Sequence, residues 1–263
     1  MINAAAMLGT HDVVLMTFDT LRHDVAASAD TPNLRRLLPG GQWEKRHTPG
    51  SFTYAAHHAF FAGFLPTPTA PGRHERLFAT RFAGSETTGG NTLVFDAPTI
   101  IEGLADAGYR TICIGGVGFF NKQTPLSNVL PNLFEESHWS SDLGVTAIDS
   151  AANQFALAAE RLAATAGRAC LFINLSAMHQ PNCHHIPGET VDSPRTQAAA
   201  LESVDRALPI LLAALDRRGP TLCVFCSDHG TCYGEDGHVG HRVAHEVVWT
   251  VPYAEFVYDG RPR

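Results

Sequence analysis

The sequence predicts a three-layer α/β/α fold built on a mostly parallel, doubly wound sheet. Two observations carry that expectation. Short apolar runs rich in β-branched residues alternate with longer segments of helical periodicity, the pattern of strands joined by crossover helices. The polar residues best suited to chemistry follow the strand runs directly, at the carboxyl edge where such sheets bind ligands. Hydrophobic residues make up 44% of the 263-residue chain and charged residues 17%, enough for a sizeable core and too apolar for a disordered chain. No repeat, low-complexity tract or linker interrupts it, so one domain is expected over residues 1–263.

The first strand is Val13–Phe18, ending in Asp19. Ala55–Ala62 reads as a helix stopped by Gly63 and Pro66, and 67–91, with its Pro, Gly, Thr and Arg, as an irregular excursion. Thr99–Gly108 has apolar residues at helical spacing and a terminal glycine. Thr111–Ile114 is a strand followed by the turn Gly115-Gly-Val-Gly118. Residues 120–147 carry no clear period and are expected to wrap the surface. Ala151–Ala166 and Gln197–Leu215 are amphipathic helices. Ala169–Leu175, Leu222–Cys226 and Val251–Tyr258 are strands.

Composition excludes several functions. The net charge is -7, from 19 basic and 26 acidic residues, so no basic field exists for nucleic acid. No run approaches the roughly 18–20 apolar residues that span a bilayer, so no membrane partner is expected. The start, Met1–Leu8, lacks the basic flank of a signal peptide. Of six cysteines, Cys113, Cys170 and Cys223 fall inside apolar strand runs, where cysteine acts as a small hydrophobe. Cys223-Val-Phe-Cys226 is read the same way rather than as a redox or zinc pair. A reduced, cytoplasmic protein is the expectation.

The 14 histidines are the compositional outlier. Asp19 closes one strand, Asp228-His229-Gly230 another, and His179 follows a third after Ser176-Ala-Met178. Carboxylate beside imidazole suits Zn²⁺ or Mn²⁺. Gly230 is expected to let the backbone turn sharply. Thr53 precedes the Ala-rich helix, where a threonine is ordinarily an N-cap. A helix start also draws anions, and a threonine hydroxyl on a metal there would be an activated nucleophile. His57 lies one turn along the same face. Gly115–Gly118 lacks the full spacing and downstream acid of a dinucleotide loop. His184 and His185, adjacent on an extended chain, would point apart. Arg35-Arg36 and Arg217-Arg218 read as helix-end charges.

Five segments, in order, resemble the alkaline phosphatase/sulfatase superfamily: Val13–Val25, Thr31–Leu34, Ser51–Pro66, Gly108–Thr111 and Ser227–His241. More narrowly, residues 12–258 resemble the small bacterial sulfatase-like metalloenzymes found beside radical SAM genes. The resemblance implies an alkaline-phosphatase-like sheet between helices. It also implies attack by a metal-bound nucleophile on a phosphate or sulfate ester. Asp19 then matches the first metal carboxylate, and Asp228 and His229 the second ligand pair. Thr53 matches the nucleophile, itself bound to the metal. His57 stands where sulfatases carry an arginine, His241 where they carry a substrate-binding lysine, and His179 where they carry a substrate-binding histidine. His245, closing the His-rich stretch, joins the substrate-binding candidates. His179 and His241 are also the candidates for proton transfer.

Departures from the pattern narrow the chemistry. Sulfatases oxidise a cysteine or serine to formylglycine, and Thr53 cannot give that aldehyde. Thr20 follows Asp19 where sulfatases place a second carboxylate. The set Asp, Thr, Asp, His resembles phosphodiesterases and phosphoethanolamine transferases instead. Two-zinc members add an Asp-x-x-x-His segment, whose aspartate is absent from Leu175–His179. One divalent ion, Zn²⁺ or Mn²⁺, is therefore expected. A second would draw nitrogen ligands from His179, His184, His185 and His241, and as a ligand His241 would join the metal set. With one ion, His241 is expected to act as a phosphate-binding cation. The resulting expectation is a metal-dependent hydrolase of a phosphate mono- or diester, on a small molecule or a peptide. The alternatives are a phosphotransferase or mutase at the same site, or a catalytically silent metal-binding partner of a biosynthetic complex.

Overall fold

The computed structural model describes residues 2–63 and 98–260, with the short strand pair 78–79 and 93–94. The Pro66 stop and most of the expected excursion over 67–91 lie outside the described residues.

Seven strands form the main sheet: β1 (Asp12–Phe18), β2 (Glu44–His47), β3 (Arg110–Ile114), β4 (Glu136–His138), β5 (Ala169–Leu175), β6 (Thr221–Cys226) and β7 (Thr250–Tyr258). Their order is β2-β7-β6-β1-β5-β3-β4. The block from β6 to β4 is parallel, and β7 and β2 close one side antiparallel. The sheet is thus mixed and mostly parallel, as expected. Strand β2 was not legible, because Glu44-Lys-Arg-His47 is exposed throughout and shows no alternation. The stretch 120–147 holds short helical turns and edge strand β4 rather than a plain wrap.

Alternation along β1 divides the core. Val14, Met16 and Phe18 enter one cluster with Phe155 and Leu162 of helix Ser150–Ala164 and Val204, Leu208 and Leu211 of helix Pro194–Leu215. Val13 enters the other with Phe61 of helix Thr53–Ala62 and Ile101 of helix Ile100–Asp106. Helix Pro194–Leu215 begins before the expected Gln197, because Ser193 caps the Thr196 N–H and Pro194 suits the first helical position.

Of the glycine and arginine expectations, only that for Arg218 changes in detail. A Cβ on Gly116 would stand 2.4 Å from the Asn174 carbonyl, so this turn serves close packing, not a dinucleotide. Arg218 does more than end its helix: it pairs with buried Asp12 and donates to the Leu162 and Thr165 carbonyls, closing helix Ser150–Ala164. Arg35 and Arg36 do lie in the last turn of helix Pro32–Leu37. Cys223 is 1% exposed within β6, and all six cysteines are free.

Helix Pro32–Leu37 starts without help from Thr31, whose side chain makes no capping bond. Asp205, from the long helix, accepts instead from the Leu34 N–H at 2.7 Å and the Asn33 N–H at 3.2 Å. Asp205→Ala strands those donors and should cost about 2 kcal/mol, lowering Tm by about 4–8 °C in calorimetry. An unchanged Tm would show that water replaces the carboxylate.

Candidate metal and phosphoryl site

Two neighbouring strand ends bring the predicted ligands together. β1 delivers Asp19, and the adjacent β6 delivers Asp228 and His229. Their ligand atoms all lie within 4.8 Å of one another, and all three side chains are fully buried. No other group of three or more such residues occurs among the described residues.

Each ligand is held by bonds that leave one atom free. Asp19 Oδ2 accepts from Asn174 Nδ2 at 2.9 Å, and its Oδ1 has no partner. Asp228 Oδ1 accepts from the Thr20 N–H at 3.1 Å and the His229 N–H at 3.0 Å, and its Oδ2 has none. His229 Nδ1 donates to the Gly230 carbonyl at 2.9 Å, which fixes the tautomer and leaves the Nε2 lone pair inward. That Nε2 is 3.4 Å from Asp228 Oδ2 and 3.3 Å from Thr53 Oγ1. Thr53 Oγ1 is also 3.5 Å from Asp19 Oδ2. Thr53 is not the helix cap that its position suggested. Phe52 is the N-cap and offers no side-chain acceptor, so no cap competes with an anion for the first turn.

Two buried carboxylates with orphaned oxygens form a cation site. Burial and then the Asp228 charge push Asp19 up to about 6, and burial pushes Asp228 up to about 7. Two carboxylate oxygens, an imidazole nitrogen and a hydroxyl fit a divalent ion such as zinc or manganese.

Gly230 matters for space rather than for its turn. A Cβ there would lie 1.9 Å from the Val247 carbonyl, so the ligand loop can seat only on glycine. Ser227 Oγ donates to the His229 carbonyl at 2.7 Å, and Thr48 Oγ1 donates to that of Asp228.

The remaining histidines divide. His179 donates from Nδ1 to the Gln180 carbonyl at 2.6 Å, leaving Nε2 available. His241 lies between His229 and His179, with ring centroids 4.6 and 5.8 Å away. Burial, with both neighbouring rings, lowers the His241 pKa to about 3. Its Nδ1 is unpartnered. His241 also stands outside the ligand group of Asp19, Asp228 and His229.

His57 is not placed to hold substrate. It is fully buried among Phe60, Phe61, Phe120 and Phe172. Its Nδ1 donates to the Thr53 carbonyl at 2.7 Å, and its Nε2 accepts from Thr17 Oγ1 at 3.0 Å. Burial holds its pKa down at about 3. His57 is therefore a neutral strut under Thr53. His245 is likewise committed: Nδ1 accepts from the Val247 N–H at 3.2 Å, and Nε2 contacts Asp236 at 3.1 Å. His184 and His185 do not point apart. They share a helical turn with centroids 4.6 Å apart, and no third ligand joins them among the described residues.

Sequence reasoning missed Asn174. It pairs in register with Thr17 across β1 and β5, and its amide bonds both Thr17 Oγ1 and Asp19. The signal was present as one amide inside the apolar run Phe172-Ile-Asn-Leu175.

The raised carboxylates make a pH prediction for the metal-free protein. Folding holds these protons more tightly than the unfolded chain does. Their contribution is fully present below about pH 4 and is lost as pH rises through about 6 to 7. The buried histidines, His57 and His241 among them, work the other way, because their lowered pKa costs stability as pH falls, so the test is a difference between proteins. With chelator present, the Tm of wild type relative to the Asp19→Asn, Asp228→Asn double variant should rise on acidification from pH 8 to pH 5, and added divalent ion should raise the wild-type Tm at pH 8. A pH-independent difference between the two would contradict the buried-pair assignment. Asp228→Asn alone should lower metal content in elemental analysis.

The sequence matches the sulfatase family over residues 11–253. Comparison with curated proteins gives no match. Similar solved structures include the C-terminal periplasmic domain of EcEptC from Escherichia coli, with TM-score 0.65 and 14% identity over 96% of this chain and 74% of that one. The same domain is known in complex with Zn. The soluble domain of lipooligosaccharide phosphoethanolamine transferase A from Neisseria meningitidis has TM-score 0.63 and 14% identity, over 95% of this chain and 78% of that one. The lipoteichoic acid synthase LtaP from Listeria monocytogenes has TM-score 0.60 and 13% identity, over 97% of this chain and 67% of that one. At these identities the structures establish a shared fold. The family match spans β1, β5 and β6 and the residues at their carboxyl ends, and the chain belongs to the sulfatase family within the alkaline phosphatase/sulfatase superfamily.

Proposed function

We propose that the protein is a metal-dependent hydrolase of phosphate esters with Thr53 as nucleophile. The observation that carries this reading is the position of Thr53 Oγ1, 3.3 Å from His229 Nε2 at an uncapped helix start, beside two orphaned carboxylate oxygens. Asp19, Asp228, His229 and Thr53 would hold the ion, as a neighbouring fold is known to hold zinc. A divalent ion there would lower the Thr53 hydroxyl pKa and neutralise charge on the phosphoryl group.

The chain's own residues supply the rest. Thr53 Oγ attacks phosphorus, forming the threonine–phosphate bond as the bond to the leaving oxygen breaks. His57 fixes the Thr53 backbone from below, so the attacking oxygen keeps its direction. His179 and His241 are the groups for proton transfer: one takes the Thr53 hydroxyl proton and passes it to the leaving oxygen, then takes a proton from the attacking water and returns it to Thr53 Oγ1 as phosphate is released. Threonine cannot supply the sulfatase aldehyde, which favours phosphate over sulfate. The substrate class is a small-molecule or peptide-linked phosphate ester.

Thr53→Ala should reduce turnover of p-nitrophenyl phosphate by about a thousandfold or more. Thr53 occupies a helical position and caps nothing, so Tm should fall by less than a few degrees and metal content should hold. Near wild-type turnover by the alanine variant would remove Thr53 from the reaction. Release of free phosphate, rather than its appearance on an added alcohol, separates hydrolase from phosphotransferase.

A further inference from the structure

A second cavity lies outside the metal site. It holds about 630 Å³ between helix His23–Ser28, helix Pro32–Leu37 and the turn Pro39–Gly41 that leads toward β2. Sites for small organic molecules run from roughly 300 to 1,000 Å³. None of its lining residues belongs to the group of Asp19, Asp228 and His229.

The polar part of the lining has one sign. Arg35 brings a permanent cation, and no aspartate or glutamate lines the cavity, in a chain with 26 acidic residues. Arg22, Arg46, Arg161 and Arg218 each hold a carboxylate, whereas none meets Arg35 among the described residues. Trp43 is 9% exposed, and its Nε1–H, which can only donate, has no acceptor. Thr31 is 3% exposed, and its hydroxyl makes no capping bond. A buried donor left without an acceptor costs free energy that an anion in the cavity would recover.

The rest of the lining is apolar. Ala26 and Leu38, both buried, border the cavity beside the Trp43 ring. That ring is held in place: it meets Phe18 edge-on at 5.5 Å, and His23 hydrogen-bonds the Trp43 backbone. An unpaired guanidinium, an unanswered indole N–H and a fixed apolar wall suit an anion carried on an apolar body. An inorganic anion, having no such body, would use only half of the lining.

We propose that this cavity binds a small organic carboxylate, its carboxylate group paired with the Arg35 fork and accepting from Trp43 Nε1–H, its apolar body against Ala26, Leu38 and the indole. The site is separate from the metal centre, so it does not depend on the phosphate-ester reading.

Titration calorimetry on the metal-loaded full chain, with benzoate as the probe, tests the assignment. Benzoate should bind saturably, with Kd about 1 mM or tighter. Benzamide keeps the ring and loses the charge, acetate keeps the charge and loses the ring, and each should bind about tenfold more weakly. Arg35→Gln should weaken benzoate about tenfold. Trp43→Phe, which keeps a ring and removes the donor, should weaken it about fivefold. Arg35 is exposed at a helix end, so Arg35→Gln should leave Tm and metal content near wild type. Chelation should leave benzoate affinity unchanged. No saturable benzoate binding, equal affinity for benzamide or acetate, or unchanged affinity in either variant would overturn the proposal. Loss of benzoate binding on chelation would move the anion to the metal centre and overturn it as well.

Discussion

Burying Asp19 and Asp228 side by side without a positive partner is the constraint on which this site depends. Each carboxylate is fully buried, and each keeps one oxygen without a partner. A fold that tolerates such a pair must either protonate it or supply a cation. The parallel sheet makes the juxtaposition possible. β1 and β6 are neighbours, so their carboxyl ends open onto the same few ångströms.

Much of the polar interior serves to aim that pair. Asn174 and Thr17 meet across the β1–β5 ladder, and the chain of bonds from Asn174 through Thr17 reaches His57 and then the Thr53 carbonyl. One network therefore holds both the Asp19 carboxylate and the Thr53 backbone. On the other side, Gln197 Nε2 donates to the Thr20 carbonyl at 2.9 Å, and Thr20 Oγ1 donates to the Met178 carbonyl at 3.1 Å. That ties the Asp19 loop to the His179 loop. Thr20 takes a φ of 61° to present its N–H to Asp228, so backbone strain is spent where the ligand must be held.

The meeting of Asp19, Asp228 and His229 was legible in the sequence because it obeys a topological rule. Asp19, Asp228 and His229 directly follow runs whose strand character is plain, and parallel topology fixes which edge they share. The strand ending at Leu175 was legible to the residue. The roles of His57 and His245 were not. His57 does lie on the same helix face as Thr53, but that face points into four phenylalanines, and spacing alone does not say whether a face meets core or solvent. His245 looked like part of a His-rich stretch, yet its Nδ1 bonds a backbone N–H two residues on, a local bond that composition conceals.

The presence of an imidazole at His57, bonded to the Thr53 carbonyl, has a consequence for charge. A buried arginine there would bring a permanent cation beside Asp228, whose Oδ2 lies 3.7 Å from His57 Nδ1. It would compete with a divalent ion for the same orphaned oxygen. The neutral imidazole donates its one proton to the Thr53 carbonyl instead, leaving Asp228 Oδ2 unclaimed.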